Sequence, residues 1–160
     1  MADFYFDSSG LVKLYVEEVG SEWVEETVWA RDQAQALLHR VVSSKLIFPE
    51  AAAAIAKAAR MGVLSSRDQR LLLAKFVSDH RSRFSKVDVT DAILARAVQL
   101  TQRHKLRGYD AVHLATALLV NEALRAQGLT SLTFVSSDSD LCLAAQTEKL
   151  TIFNPDMTLK

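Results

Sequence analysis

Four acidic side chains stand at predicted junctions between apolar strands and helices: Asp7, Glu50, Asp110 and Asp138. Asp7 and Asp138 each end an apolar run, and Asp110 opens a predicted helix. Glu50 sits just ahead of an alanine-rich helix. In an open parallel α/β sheet the carboxyl ends of the strands line one crevice, and ligands bind there. Carboxylates gathered in that crevice repel one another unless a positive charge, usually a divalent cation, lies between them. The pattern therefore predicts a metal-dependent enzyme.

Each of these acids also has an ordinary structural explanation. Asp7 can cap the first helix, because aspartate is common at that position. Asp110 is favoured near a helix N-terminus by the helix dipole. Asp138 precedes a helix as well, and Asp140 could replace it as the cap or as the fourth acid. The metal hypothesis thus depends on four acids in equivalent places and not on any single one.

Composition indicates one globular domain, residues 1–160, with 49% hydrophobic residues. Lys and Arg total 19, as do Asp and Glu, so a polyanion would need a local basic patch or bound metal ions. The single cysteine, Cys142, excludes an internal disulfide and is expected to be a buried apolar residue.

No apolar run approaches the roughly 20 residues that span a bilayer. The N-terminus lacks the basic region of a signal peptide, so we expect a cytoplasmic protein without membrane contact.

Short apolar runs alternate with amphipathic stretches along the chain. Strands are predicted at residues 3–6, 41–42, 84–87, 132–136 and 151–153. Helices are predicted at residues 11–15, from 21 onward, and at 44–60, 65–80, 91–104, 109–127 and 138–149. This alternation predicts an α/β fold with a mainly parallel sheet.

Several segments resemble one known family. Residues 6–15 (FDSSGLVKLY) closely resemble the opening of PIN-domain ribonucleases, in particular the VapC-type toxins of bacterial toxin–antitoxin pairs. Residues 107–117 (RGYDAVHLATA) are similar to that family's third-acid motif, and residues 134–141 (FVSSDSDL) to its fourth-acid strand. Residues 153–155 (FNP) also resemble the end of that family's domain. The resemblance spans the chain in the right order, and the second motif, around Glu50, is the weaker one.

The resemblance implies a three-layer α/β/α sandwich around four to five short strands, RNA cleavage, and one or two Mg²⁺ or Mn²⁺ ions. By position the family's acids fall on Asp7, Glu50, Asp110 and Asp138, which makes these four the expected catalytic and metal-binding residues. We expect Asp7 and Asp110 to ligate directly and Asp138 directly or through water. Glu50 is expected to orient a water molecule, and Ser9 to steady the first aspartate. Oxygen-only ligands suit these hard cations.

The sequence departs from the family pattern at two places. Ser139 and Asp140 stand where relatives often carry basic residues, which adds negative charge and is expected to weaken RNA binding. We still count Asp140 as a supporting site residue. Gly10 replaces the alanine of many relatives and is expected to loosen the start of the first helix.

Other polar residues have two interpretations. His113, three residues after Asp110, is either a metal ligand or, as we favour, a hydrogen-bonded core histidine. The basic segments 80–83 and 104–107 either contact RNA or are solvated helix ends. Lys13 is expected to be exposed.

Two other functions are compatible with parts of this pattern. A haloacid-dehalogenase phosphatase needs a second acid two residues after its nucleophile, where this chain has Ser9. A non-catalytic PIN-like binding scaffold remains the alternative. The resemblance also implies three partners: an RNA substrate, a cognate antitoxin and a second copy of the chain. We expect the helices at 44–60 and 65–80 to form the groove for an apolar antitoxin segment.

Overall fold

The computed structural model describes residues 1–158 and contains one sheet of five parallel strands in the order β3-β2-β1-β4-β5. The strands are β1 (Ala2–Phe6), β2 (His39–Ser44), β3 (Phe84–Val87), β4 (Thr133–Val135) and β5 (Thr151–Phe153). The helices of the described residues are α1 (Ser8–Leu11), α2 (Ser21–Trp29), α3 (Ile47–Arg60), α4 (Ser66–Ser82), α5 (Asp91–Arg103), α6 (Gly108–Ala126) and α7 (Ser139–Thr147). Short 3₁₀ turns follow α1 and β5, at Val12–Leu14 and Pro155–Met157.

Neighbouring residues of each central strand face opposite sides of the sheet. Tyr5 and Phe134 pack with α5, α6 and α7 on one side. Phe6 and Val135, the next residues along, pack with α1, α2, α3 and α4 on the other. Because both faces are covered by helices, the central strands are apolar on both sides, as is usual for parallel sheets. The predicted three-layer α/β/α fold is confirmed.

The order of the strands creates a crevice at the carboxyl edge of the sheet. The chain moves from β1 outward to β2 and β3, and then crosses to β4 and β5 on the other side of β1. In such a sheet ligands bind where the order reverses, here between the carboxyl ends of β1 and β4. Asp7 directly follows β1, and Asp138 lies three residues beyond β4.

Two predicted boundaries around Glu50 were wrong. Strand β2 runs from His39 to Ser44, and helix α3 begins at Ile47 and not at residue 44. The strand extends this far because Ser43 and Ser44 are buried, and the Ser43 hydroxyl donates a 2.7 Å hydrogen bond to a carbonyl of β1. Glu50 therefore lies in the first turn of α3 and not ahead of it.

One prediction near the N-terminus was also wrong. Lys13 is buried, because its ammonium group forms ion pairs with Glu18 at 3.1 Å and Asp156 at 2.7 Å. Gly10 also has a packing role that the sequence did not indicate, because a Cβ at this position would lie 3.0 Å from the carbonyl oxygen of Val135. The glycine thus lets α1 pack closely on β4. Among the residues described, no helix is long and apolar enough to cross a membrane.

Candidate active site

Asp7 is a buried carboxylate at the centre of the crevice, with 3% of its surface exposed. It caps α1, because Oδ1 accepts the Gly10 backbone N–H at 2.8 Å. The Ser136 hydroxyl donates to Oδ2 at 2.7 Å, and the Ser9 hydroxyl lies 2.9 Å from both oxygens. These groups supply three hydrogens for four carboxylate lone pairs. One lone pair is thus left for a further ligand, so the capping and metal-binding interpretations of Asp7 are compatible.

Burial determines the protonation behaviour of Asp7. Loss of water raises the pKa of this carboxyl above its ordinary value. The electrostatic interaction with His113 and the hydrogen bonds from Ser136, Gly10 and Ser9 lower this pKa but do not cancel the effect of burial. A nearby cation would therefore stabilise the ionised form of Asp7.

Asp138 is joined to Asp7 through one serine. The Asp138 backbone N–H donates to the Ser136 hydroxyl oxygen at 3.1 Å, and the same hydroxyl donates to Asp7. The Asp138 side chain caps α7 by accepting the Leu141 N–H at 2.9 Å. This bond uses only Oδ1, which leaves Oδ2 of Asp138 available for another contact.

Arg107 lies between Asp110 and Asp138. Its Nε is 3.0 Å from Oδ2 of Asp110, and its Nη2 is 3.6 Å from Oδ2 of Asp138. The bond to Asp110 and the charges of both acids raise the pKa of the guanidinium. Because one side chain reaches both carboxylates, Asp110 in the first turn of α6 and Asp138 at the start of α7 belong to one cluster.

A second cation, Lys105, and a further acid, Asp140, lie on the same side of the crevice as Arg107. Lys105 forms an ion pair with Asp140 at 3.0 Å. The segment that carries Lys105 and Arg107 is held to the C-terminal end of α7 by His104, whose Nε2 lies 2.7 Å from Glu148, the residue that follows the helix. Together they line a cavity of about 430 Å³, whose wall comprises Thr101, His104, Lys105, Leu106, Arg107, Asp110, Asp138 and Asp140. From the sequence alone, the basic segment 104–107 is interpreted as an RNA contact or a solvated helix end, and local spacing does not indicate its pairing with the acids.

Glu50 is held by His113. The two side chains approach to 2.6 Å between Oε2 and Nε2, and His113 Nδ1 lies 3.0 Å from the Tyr5 hydroxyl. With 1% of its surface exposed, His113 is the hydrogen-bonded core histidine that the sequence favoured. It also links Glu50 on α3 to α6, one turn after Asp110. Glu50 therefore points toward the helix that carries the third acid.

The donor set fits Mg²⁺ or Mn²⁺, since all four predicted acids offer carboxylate oxygens. Within residues 1–158, however, no three acidic, histidine or cysteine side chains are placed together as a metal site. Instead, Arg107 pairs with Asp110 and Asp138, and His113 pairs with Glu50. The guanidinium therefore competes with a cation for Asp110 and Asp138. That the four carboxylates converge within about 10 Å of one point remains a prediction.

Cys142 and Arg83 do not belong to the acidic cluster. The Cys142 thiol is buried, which raises its pKa to about 11, and it donates to the Ser136 carbonyl at 3.2 Å. It is thus a packing residue, as expected. In the basic segment 80–83, Arg83 donates to the Val28 and His39 carbonyl oxygens, each at 3.0 Å from one of its nitrogens. This arginine ties α2 to β2 and does not face the acids.

Comparison with known proteins identifies the class. Residues 4–146 match the PIN domain family. Two proteins of Mycobacterium tuberculosis strains, Ribonuclease VapC45 and Ribonuclease VapC49, are each 38% identical over 121 residues, covering 74% of this chain and 76% of theirs. The chain belongs to the PIN-domain family, and within it to the group of ribonucleases named VapC.

Solved structures agree with this fold. A toxin–antitoxin complex from Klebsiella pneumoniae aligns with a TM-score of 0.57 at 18% identity, covering 95% of this chain and 97% of that one. FitAcB from Neisseria gonorrhoeae aligns with a TM-score of 0.60 at 13% identity, covering 97% and 99%. VapBC2 from Rickettsia felis, bound to a DNA fragment from its promoter, aligns with a TM-score of 0.59 at 11% identity. The alignment covers 95% of this chain and 98% of that one. At these identities the likeness concerns the fold alone.

Proposed function

We propose that this protein is a Mg²⁺- or Mn²⁺-dependent endoribonuclease and the toxin of a toxin–antitoxin pair, acting in the cytoplasm. The observation that carries the proposal is the linked set of acids at the carboxyl edge of the sheet. Asp7 and Asp138 both form hydrogen bonds with Ser136. Asp138 and Asp110 both form ion pairs with Arg107. Glu50 contacts His113, which lies on the same helix as Asp110. Packing does not require acids in this arrangement, and the VapC names of the relatives support RNA as the substrate.

The side chains would divide the work as follows. Asp7 and Asp110 would be direct ligands of the cation, and Asp138 a ligand directly or through water. Glu50 would orient the attacking water. Bound Mg²⁺ or Mn²⁺ lowers the pKa of a water, aligns it with a phosphodiester and stabilises the leaving oxygen.

Substrate binding has to overcome the negative charge of the site. Four predicted acids and Asp140 face a polyanion, and the chain as a whole carries no net charge to attract it. Arg107 and Lys105 are the cations at the mouth of the cavity, with side chains 82% and 91% exposed. Once freed from the acids, both can bind phosphates of the RNA backbone.

A cleavage assay with one paired control tests the proposal. Purified protein should cleave RNA with Mn²⁺, lose cleavage in EDTA and recover it when Mn²⁺ is restored. Asp110→Asn should lower the rate at least about 100-fold, the size typical of removing one transition-state contact. Glu122→Gln is the control, because Glu122 is also an acid of α6 paired with an arginine, Arg96, but lies outside the cavity.

Two results would contradict the proposal. Undiminished cleavage in EDTA would rule out the metal. If wild-type protein and Asp110→Asn were equally inactive on transfer, ribosomal and messenger RNA with Mn²⁺, the non-catalytic binding scaffold would be the better interpretation.

We also propose an antitoxin partner and a homodimer. Helix α4 has one buried side chain, Phe76, in its 17 residues, while Leu71 and Leu73 on the same helix are exposed. Helices α3 and α4 do pack together, since Phe48 stacks on Phe76 with 5.8 Å between ring centroids. The apolar surface that remains supports a groove for an antitoxin helix. The toxin–antitoxin complex among the structural neighbours gives further support.

The homodimer has a separate candidate surface. Helices α5 and α6 leave an apolar groove of about 370 Å³, at which Leu94, Val98 and Tyr109 are 44%, 62% and 66% exposed. Tyr109 directly precedes Asp110, so this surface adjoins the acids. Two copies paired there would join two shallow sites into one longer channel for RNA, and such two-fold pairing is the commonest oligomer.

A further inference from the structure

We propose that His113 and Tyr5 are positioning residues, which act by fixing the direction in which Glu50 presents its carboxylate. The inference rests on the proposed nuclease function and assigns a role to two buried residues that the acid set does not include. It is carried by a continuous chain of hydrogen bonds through the core.

The chain of hydrogen bonds has three links. The Ser44 backbone N–H donates to the Tyr5 hydroxyl oxygen at 3.2 Å. The Tyr5 hydroxyl lies 3.0 Å from His113 Nδ1, and His113 Nε2 lies 2.6 Å from Glu50 Oε2. Tyr5 is 0% exposed and His113 1%, so bulk water cannot replace either partner.

If the His113 ring carries a single hydrogen, the chemistry of these groups allows one order of donors. Glu50 as a carboxylate can only accept, so the hydrogen of His113 must be on Nε2. Nδ1 is then an acceptor, which requires the Tyr5 hydroxyl to donate to it. That hydroxyl oxygen in turn accepts the Ser44 N–H. In this order each group has a single role, and the proposed relay requires His113 as this one tautomer.

This chain of hydrogen bonds makes the two carboxylate oxygens of Glu50 different. Oε2 is occupied by His113, whereas no hydrogen bond to Oε1 comes from the part of the chain that the structure describes. The Glu50 side chain is 22% exposed, so it is partly open to solvent. A glutamate held by one oxygen presents the other in a fixed direction, which is what orienting a water molecule requires. Loss of such a supporting partner typically costs 10- to 100-fold in activity.

Removing the donor tests the proposal. His113→Leu should lower kcat roughly 10- to 100-fold with little change in KM, because RNA binding is left intact. His113→Gln should restore most of the rate, since the glutamine amide nitrogen can donate from near the position of Nε2. An equal loss in both variants would overturn the proposal, because it would indicate disturbed packing and not a lost donor.

A double-mutant comparison separates positioning from folding. If His113 acts only through Glu50, His113→Leu should cause no further loss in a Glu50→Gln background. A full second loss in that background would overturn the proposal. Should His113→Leu fail to fold, Tyr5→Phe replaces it in the same comparison, because it removes one oxygen and keeps the ring.

A spectroscopic measurement tests the relay without any nuclease activity. Long-range ¹H–¹⁵N spectra of the wild-type protein should show His113 with its hydrogen on Nε2 and none on Nδ1. Any other protonation pattern would overturn the relay even if RNA is cleaved. If the expected pattern is found and RNA is not cleaved with Mn²⁺, the proposed function fails while the donor order stands, and the positioning role fails with the function.

Discussion

Asp7 combines structural and chemical roles in one side chain. It caps α1, accepts bonds from two serine hydroxyls and is 3% exposed. A carboxylate in such surroundings is costly to ionise, and its pKa is accordingly raised by burial. The folded protein thus keeps a destabilising charge at the position where the metal hypothesis requires a ligand.

This cost gives a prediction for Asp7→Asn. We expect the variant to lose RNA cleavage at least about 100-fold while folding normally, because Ser136 can turn from donor to acceptor. Since folding raises the pKa of Asp7, the wild type loses stability as pH rises from the unfolded pKa through the folded one. Relative to wild type, the variant should therefore gain stability between acidic and neutral pH in the absence of metal.

Urea unfolding of both proteins at a series of pH values measures this difference. A gap in unfolding free energy that stays constant with pH would contradict the raised pKa. Retained cleavage by purified Asp7→Asn would remove Asp7 from the mechanism.

Arg107 gives a second prediction at the scale of the residue. Its guanidinium competes with a cation for Asp110 and Asp138. Arg107→Gln should therefore bind Mn²⁺ more tightly, by about two- to fivefold, because exposed ion pairs are weak. Isothermal titration with Mn²⁺ measures the change. Arg96→Gln, which breaks the exposed pair with Glu122, should leave the Mn²⁺ affinity unchanged. Equal affinities in the wild type and Arg107→Gln would contradict the competition.

At the scale of elements, α2 depends on the glycine that precedes it. Gly20 caps α2 with a φ of +84°, and a Cβ there would lie 2.3 Å from the carbonyl oxygen of Pro155. The close approach packs the start of α2 against the 3₁₀ turn after β5, beside the Lys13–Asp156 ion pair.

Gly20→Ala should therefore be strongly destabilising. We expect a loss of more than about 2 kcal/mol, since the left-handed backbone and the clash both add cost. Gly62→Ala is the matched control: its φ is +76°, but no atom lies within 4 Å of the added Cβ, so only about 1 kcal/mol should be lost. Chemical denaturation compares the two. Equal losses would indicate that the contact with Pro155 contributes nothing.

For the whole molecule, the distribution of exposed apolar side chains is the main guide to partners. One group lies on α3, α4 and the turn between them, and another lies on α5 and α6. The first group comprises Phe48, Met61, Val63, Leu71 and Leu73, and the second comprises Leu94, Val98, Tyr109 and Leu119. Two separate surfaces agree with two different partners, an antitoxin and a second copy of the chain.

Co-expression with the product of the adjacent upstream gene tests the antitoxin surface. We expect that protein to co-purify with the chain and to relieve its toxicity. Leu71→Glu should weaken the complex at least about tenfold, because it places a charge in an apolar interface. Val98→Glu is the control, since Val98 lies on the other surface. Absence of co-purification and of relief would leave the protein a stand-alone nuclease.

The sequence by itself determined the α/β class, most helices and the places of three acids. These signals are local: Asp7 and Asp138 follow apolar runs and cap the next helix, and Asp110 stands in the first turn of α6. Each can be inferred from a window of about ten residues, since caps and apolar periodicity involve near neighbours. The family resemblance then supplied the order of the motifs.

Only the tertiary structure decided which side chains meet. Glu50 and His113 are 63 positions apart, and their contact depends on α3 and α6 reaching the same edge of the sheet from opposite faces. Lys13 looked exposed because its partner Asp156 follows the last strand of the sheet. Arg107 meets Asp138 because α6 and α7, which begin at these residues, pack on the same face of the sheet. Such pairings cannot be inferred from local spacing, because strand order, and not distance along the chain, brings these groups together.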